Sequence, residues 1–251
     1  MGASKWLLVF TLSHLLLNPT YADEVHVAVA SNFAAAIKDL ASRFEQQTQH
    51  QVTLSFSSSG KIFAQIQHGA PFHLFLSADQ TKPQALENSG LIVPGSRFTY
   101  ALGSLVLWSA QPDKVGNDSR ILHTDDFNKL ALANPKLAPY GAAAVEVLDS
   151  LQLTAATQHT WVMGENIAQT YQFVASGNAE LGFVALSQVI DVDTQTISSG
   201  WQVPAELHQP LRQDAVLLKR GQNHVGAQAF WTYLKSEEAQ TIIRSYGYFT
   251  E

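Results

Sequence analysis

Beyond residue 22 the chain repeats one pattern: a short apolar or alternating run, a turn of small polar residues, then apolar residues at helical spacing. VHVAV (25–29) alternates as a strand does, and Ile37, Leu40 and Phe44 follow on one helical face. Ser31 and Asn32 stand at that joint, where a helix wants a capping oxygen. QVTLSF (51–56) predicts a second strand, followed by Ser59 and a short helix with Ile62 and Ile66 inward. HLFLSAD (73–79) repeats the scheme, with Asp79 as the expected cap. LGSLVLWSA (102–110) reads as one strand and KLALANP (129–135) as another, with the helix AAAVEVLDSL after Tyr140 and Gly141. A helix from Ile167 to Ala175 puts Ile167, Tyr171 and Val174 on one face, and ELGFVAL (180–186) is an apolar buried strand. DAVLLK (214–219) then predicts a strand, ahead of the helices AQAFWTYL and EEAQTIIRSY.

Strands alternating with helices predict an α/β protein with mostly parallel sheets, whose ligands gather beyond the carboxyl ends of the strands. Lys5, the apolar run WLLVFTLSHLLL (6–17), Pro19 and the small-residue exit TYA make residues 1–22 a secretory signal peptide. The remaining chain suits two lobes: residues 23–102 with 214–251, and residues 103–213. Cysteine is absent, which removes disulfides, thiolate metal sites and a lipid-carrying cysteine, so the exported protein is expected free in a bacterial periplasm. Fifteen Lys and Arg against 21 Asp and Glu, with no basic run, argue against nucleic acid as a partner.

The stretch SFSSSGKIF (55–63) resembles a phosphate loop at first sight, but Ser55 and Ile62 stand where that motif requires Gly and Ser or Thr. Four strand-to-helix joints remain as candidate chemistry: Ser31-Asn32, Ser58-Ser59-Gly60, Pro139-Tyr140-Gly141 and Gly164-Glu165-Asn166-Ile167. Each offers backbone N–H groups at a helix start, and several such termini meeting at one point bind an anion without Lys or Arg. The same Ser and Asn residues also serve as ordinary caps, and Gly60 permits either close approach of a ligand or merely a tight turn. Lys61, in the first helical turn, is expected to be solvated. The histidines lack metal-ligand spacing, His68 and His73 being the closest suggestive pair. No G-x-S-x-G, H-E-x-x-H or G-x-G-x-x-G motif occurs. The acid pairs Asp125-Asp126 and Glu237-Glu238 read as solvated surface, and Tyr246 and Tyr248 as packing for the last helix.

AVASNF, SSSGKIFAQIQHGAPFHLFLSADQ, NPKLAPYGAAAVEVL, GENIAQ, ELGFVAL and AFWTYLKSEEAQTIIRSYGY together resemble the periplasmic molybdate-binding proteins of ABC importers, over nearly the whole chain after residue 22. That resemblance implies the two-lobed periplasmic binding protein fold (type II) and a monomer without cofactor or catalysis. The implied ligand is molybdate or tungstate, held as an oxyanion between the lobes with no side chain on the metal, and the implied partner is a membrane permease. It implies Ser31 and Ser59 as hydroxyl and N–H ligands, Asn32 with its own amide, and Ile167 through its N–H. Tyr140 is implied through its N–H and, in one branch, its phenol. Two departures stand out: Ala185 where another branch carries a tyrosine ligand, and His73 where aspartate is usual.

Molybdate and tungstate carry no proton at neutral pH, so a shell of donors suits them. Phosphate keeps a proton and gains from a carboxylate acceptor, which would face molybdate charge against charge. Sulfate matches the charge and can be rejected only by cavity size. The alternatives are a site for another small oxyanion such as sulfate, and an exported hydrolase with Ser58 or Ser59 as nucleophile and His73 as its base.

Overall fold

A computed structural model describes residues 23–250, so the segment read as a signal peptide lies outside the described residues. The chain builds β1 (Glu24–Ala30), a 3₁₀ turn (Ser31–Phe33), α1 (Ala34–Gln47), β2 (Gln51–Ser57), α2 (Ser59–Gln67), β3 (Leu74–Leu76), α3 (Thr81–Asn88) and β4 (Phe98–Gly103). It then enters a second lobe with β5 (Leu105–Trp108), β6 (Leu130–Ala133), α4 (Pro139–Ser150), α5 (Thr154–Thr157), β7 (Trp161–Gly164), α6 (Ile167–Ala175), β8 (Leu181–Ala185) and β9 (Gly200–Gln202). β10 (Leu211–Leu217), α7 (Val225–Tyr233) and α8 (Glu237–Ser245) complete the first lobe.

Each lobe is a five-stranded sheet, ordered β2-β1-β3-β10-β4 and β7-β6-β8-β5-β9. β10 runs antiparallel to both of its neighbours, as does β5, so four strands of each sheet share a direction. Helices cover both faces. In the first lobe Ile37, Leu40 and Phe44 of α1 pack with Phe230 of α7 and Ile243 of α8 on one face, while Ile62 and Ile66 of α2 pack with Phe75 and Val216 on the other. In the second, Val147 and Leu148 of α4 cover one face and Val174 of α6 the opposite one. Side chains buried on both faces explain the near-continuous apolar runs of β3, β5, β6 and β8.

The segment 102–110 is two strands rather than one: the chain turns at Gly103 and Ser104 out of the first sheet and into the second. It returns at Leu211, which pairs with Gly103, so the lobe boundary expected at 213/214 falls inside β10. Asp79 does not occupy the N-cap of α3, which is Gln80, but its carboxylate accepts the Lys82 N–H at 3.2 Å from one residue earlier. Ser31 and Asn32 supply no side-chain cap either, and the 3₁₀ turn frees both side chains to face other elements. Among the described residues no helix is long and apolar enough to cross a membrane.

Candidate functional site

The joints at the carboxyl ends of β1, β2, β6 and β7 meet between the lobes. They enclose a small cavity walled by Ser31, Asn32, Ser58, Ser59, Tyr140 and Ile167. α2, α4 and α6 all begin at this cavity, so three helices point their unpaired first-turn N–H groups and positive dipole ends toward it. None of its lining residues is charged. The space open to the centre of a water-sized sphere is ≈ 10 Å³. With the sphere's own 1.4 Å radius added, that describes a hollow of roughly 2.7 Å radius. Only a small ion fits a space of this order. A wider cleft of ≈ 310 Å³ shares Ala78, Ala138 and Pro139 with the cavity and leads outward from it. The larger groove of ≈ 420 Å³ around Leu122 and Leu153 shares no residue with the cavity and lies within the second lobe.

The local sequence positions each donor. Ser58 is the N-cap of α2, its hydroxyl accepting the Lys61 N–H at 3.4 Å, which leaves Ser59 as the first helical residue, 1% exposed. Ser59 Oγ accepts the Ala78 N–H at 2.9 Å, so its own proton is left to donate. Ser31 Oγ reaches across the cleft, donating to Asn166 Oδ1 at 3.2 Å and accepting the Ala168 N–H at 3.4 Å. Asn166 caps α6 by accepting the Ala168 and Gln169 N–H groups, and Ile167, the first helical residue, lines the cavity. Pro139 opens α4 with the φ that a first turn needs, and Tyr140 follows it. Gly141 lets α4 start against β6, since a Cβ there would lie 2.1 Å from the Ala133 carbonyl oxygen.

Two side chains face elsewhere than expected. The Asn32 carboxamide nitrogen donates to Gln213 Oε1 at 2.8 Å and Tyr248 Oη at 3.1 Å, which uses both of its protons behind the cavity. The Tyr140 phenol accepts from Gln213 Nε2 at 3.3 Å in the same buried cluster, so Tyr140, like Asn32, has only its backbone left for the cavity. Ala185, buried at the end of β8, adds no hydroxyl. Burial pushes the phenols of Tyr100, Tyr140 and Tyr248 well above their ordinary range, so all three stay protonated. Gln213, Ser187, Tyr100 and Tyr248 form this cluster, and none of the first three stood out in the sequence. Tyr248 packs in the core of the first lobe as expected and adds a buried hydrogen-bonding hydroxyl.

Lys61 is not simply solvated: its ammonium pairs with Glu165 across the cleft mouth at 2.6 Å. Gly60 meets the other lobe rather than a ligand, its N–H donating to the Leu137 carbonyl at 2.9 Å. His73 lies at the opposite end of the strands, where its Nδ1 accepts the His26 N–H at 3.1 Å, so it cannot serve Ser58 or Ser59 as a base.

Residues 25–249 match the family of bacterial extracellular solute-binding proteins. The chain is 54% identical over 234 residues to the molybdate-binding protein ModA of Azotobacter vinelandii, covering 93% of each. It is 48% identical to the molybdate-binding protein ModA of Rhodobacter capsulatus over 93% of this chain and 91% of that one. The solved structure of an Azotobacter vinelandii periplasmic molybdate-binding protein superposes with a TM-score of 0.88 at 40% identity, covering 90% of this chain and 99% of that one. A cleft of helix N-termini between two mixed sheets, carried by a sequence this close to those relatives, places the chain in the bacterial extracellular solute-binding protein family, alongside its molybdate-binding members.

Proposed function

We propose that this chain binds molybdate, and tungstate with it, in the cavity between its lobes and delivers the oxyanion to an ABC permease from the periplasm, as a monomer and without cofactor. The observation that carries the reading is a small cavity between the lobes, lined by Ser31, Asn32, Ser59, Tyr140 and Ile167 and free of charged side chains. In it the Ser59 hydroxyl, the Ser31 hydroxyl once it turns from Asn166 Oδ1 to the ligand, and the backbone N–H groups of Ser31, Asn32, Ser59, Tyr140 and Ile167 hold the four oxygens. No side chain touches the metal. A dianion without protons can accept from every one of these groups, and helix dipoles in a water-free site offset its charge. A carboxylate in the lining would favour phosphate, which has a proton to give, and the lining has none. The donors come from both lobes, so binding and lobe closure stabilise each other. An unanchored periplasmic carrier also accounts for the apolar N-terminal segment and the absence of cysteine.

Titration calorimetry with molybdate, tungstate, sulfate and phosphate tests this. Sub-micromolar binding of the first two, worth more than ~8 kcal/mol, with sulfate weaker and phosphate silent, is the expected result. No heat with either metal oxyanion in sulfate-free buffer overturns it.

A further inference from the structure

Behind the cavity the buried polar groups close into a circuit that crosses from one lobe to the other. Asn32 Nδ2 donates to Gln213 Oε1 at 2.8 Å, and Gln213 Nε2 donates to the Tyr140 hydroxyl at 3.3 Å. Tyr248 lies in the same buried cluster, its Oη accepting from Asn32 Nδ2 at 3.1 Å. Tyr248 Oη donates to Ser187 Oγ at 2.9 Å, and Ser187 Oγ donates to the Asn32 carbonyl at 2.9 Å, which returns the circuit to its first residue. Asn32, Gln213 and Tyr248 belong to the first lobe, Tyr140 and Ser187 to the second. All five side chains are buried.

We infer that this ring is the device that holds the two lobes closed on the anion, and that Ser187 and Tyr248 are positioning residues for binding although neither lines the cavity. The inference rests on the oxyanion-binding reading above. Two of the ring's members, Asn32 and Tyr140, also line the cavity, so closing the ring and assembling the cavity wall are one event. Three of its hydrogen bonds cross the lobe boundary: Gln213 to Tyr140, Tyr248 to Ser187 and Ser187 to Asn32. Separation of the lobes takes Tyr140 away from Gln213 and Ser187 away from Asn32, and returns their polar groups to water. The ring thus favours closure without touching the ligand. Loss of one hydroxyl from it weakens all anions that need the closed form by a common factor, whereas loss of a cavity hydroxyl acts on the contact itself.

The test uses Ser187→Ala, Tyr248→Phe and the double variant, titrated with molybdate and with tungstate, beside thermal unfolding of each protein without ligand. Each single change is expected to raise Kd by about 5- to 30-fold, equally for both anions. The double change should cost less than the product of the two, because both hydroxyls serve one circuit. The ligand-free melting temperature of Ser187→Ala should stay at the wild-type value, since both Ser187 bonds cross between lobes that part without ligand, whereas Tyr248→Phe also removes hydrogen bonds to Asn32 within the first lobe and should melt somewhat lower. Unchanged affinity in both single variants overturns the inference, as does a ligand-free melting temperature of Ser187→Ala that falls in step with affinity, which marks ordinary core packing. Wild-type protein that takes up neither anion sinks the functional reading, and this inference with it; wild-type binding with unaffected variants sinks the ring alone.

Discussion

Ser59 and Ser58 are adjacent hydroxyls with different work. Ser59 accepts a buried N–H from Ala78 and keeps its proton for the cavity, while Ser58 accepts from Lys61 as the cap of α2. Ser59→Ala is expected to weaken oxyanion binding by ~1 to 3 kcal/mol, the cost of one hydrogen bond to a charged group. Ser58→Ala should instead lower stability by ~0.5 to 2 kcal/mol as a lost cap, and calorimetry beside denaturant melts separates the two. His73 makes the residue-scale case for pH. Its imidazole is pushed down to about 4, first by burial, then by repulsion from His224, His26 and Arg220, with Asp23 opposing. The His224 ring sits 4.1 Å from it and the His26 ring 5.5 Å, centroid to centroid. The unfolded chain, with an ordinary histidine near 6.5, holds more protons between those values. The stability contributed by neutral His73 is therefore complete above pH 6.5 and is lost as pH falls toward 4, at up to ~1.4 kcal/mol per pH unit. Melting temperature against pH should show that decline, and His73→Asp should flatten it; an equally steep curve in the variant would rule out His73 as its source.

At the scale of elements, the site is a set of helix beginnings, and these were largely legible in the sequence. The joints before α2, α4 and α6 announce themselves through Ser58-Ser59-Gly60, Pro139 and Asn166, because local capping and turn chemistry repeats wherever a strand hands over to a helix. The ends of α6 follow from its apolar spacing alone. What local pattern does not carry is the choice of tertiary partner. LGSLVLWSA is uniformly apolar, so nothing in it marks Gly103-Ser104 as the place where the chain changes sheets. β9 is three residues long, too short for any periodicity. Gln213 enters the buried ring while its neighbour Asp214, on the opposite face of β10, accepts from Arg97 at 2.8 Å. Sequence spacing predicts none of this, since it depends on β4 lying alongside. The cross-cleft pair likewise needs the fold: Lys61 sits in the first turn of α2 and Glu165 just before α6, 104 residues later. Both are exposed, so the pair is worth only ~0.2 to 1 kcal/mol and is screened by salt. Glu165→Gln should speed molybdate release by roughly 1.5- to 5-fold at low ionic strength and leave it unaltered in concentrated salt. Stopped-flow dissociation at both ionic strengths reads this, and equal acceleration in both would remove the ion pair from the account.

For the whole molecule, closure brings backbone against backbone. Gly60 of the first lobe donates to Leu137 of the second, and a Cβ on Gly60 would stand 2.9 Å from that carbonyl oxygen. The clash is with main chain, which cannot rotate aside. Gly60→Ala should hold the lobes apart, cost ~1 to 3 kcal/mol of binding and leave the ligand-free melting temperature in place, because the contact exists only between lobes. Small-angle scattering at saturating molybdate should show a larger radius of gyration than wild type; a wild-type radius with wild-type affinity would refute the steric account. The double crossing between lobes has an effect of another kind. The strands of the second lobe, β5 to β9, come from one uninterrupted stretch of chain, whereas β4 in the first lobe has β10 as its sheet neighbour. Until residue 217 is available, the first sheet has a gap between β3 and β4 where its antiparallel strand belongs. The lobe that starts the chain is thus the one finished last, and its sheet cannot lock until most of the polypeptide has been made.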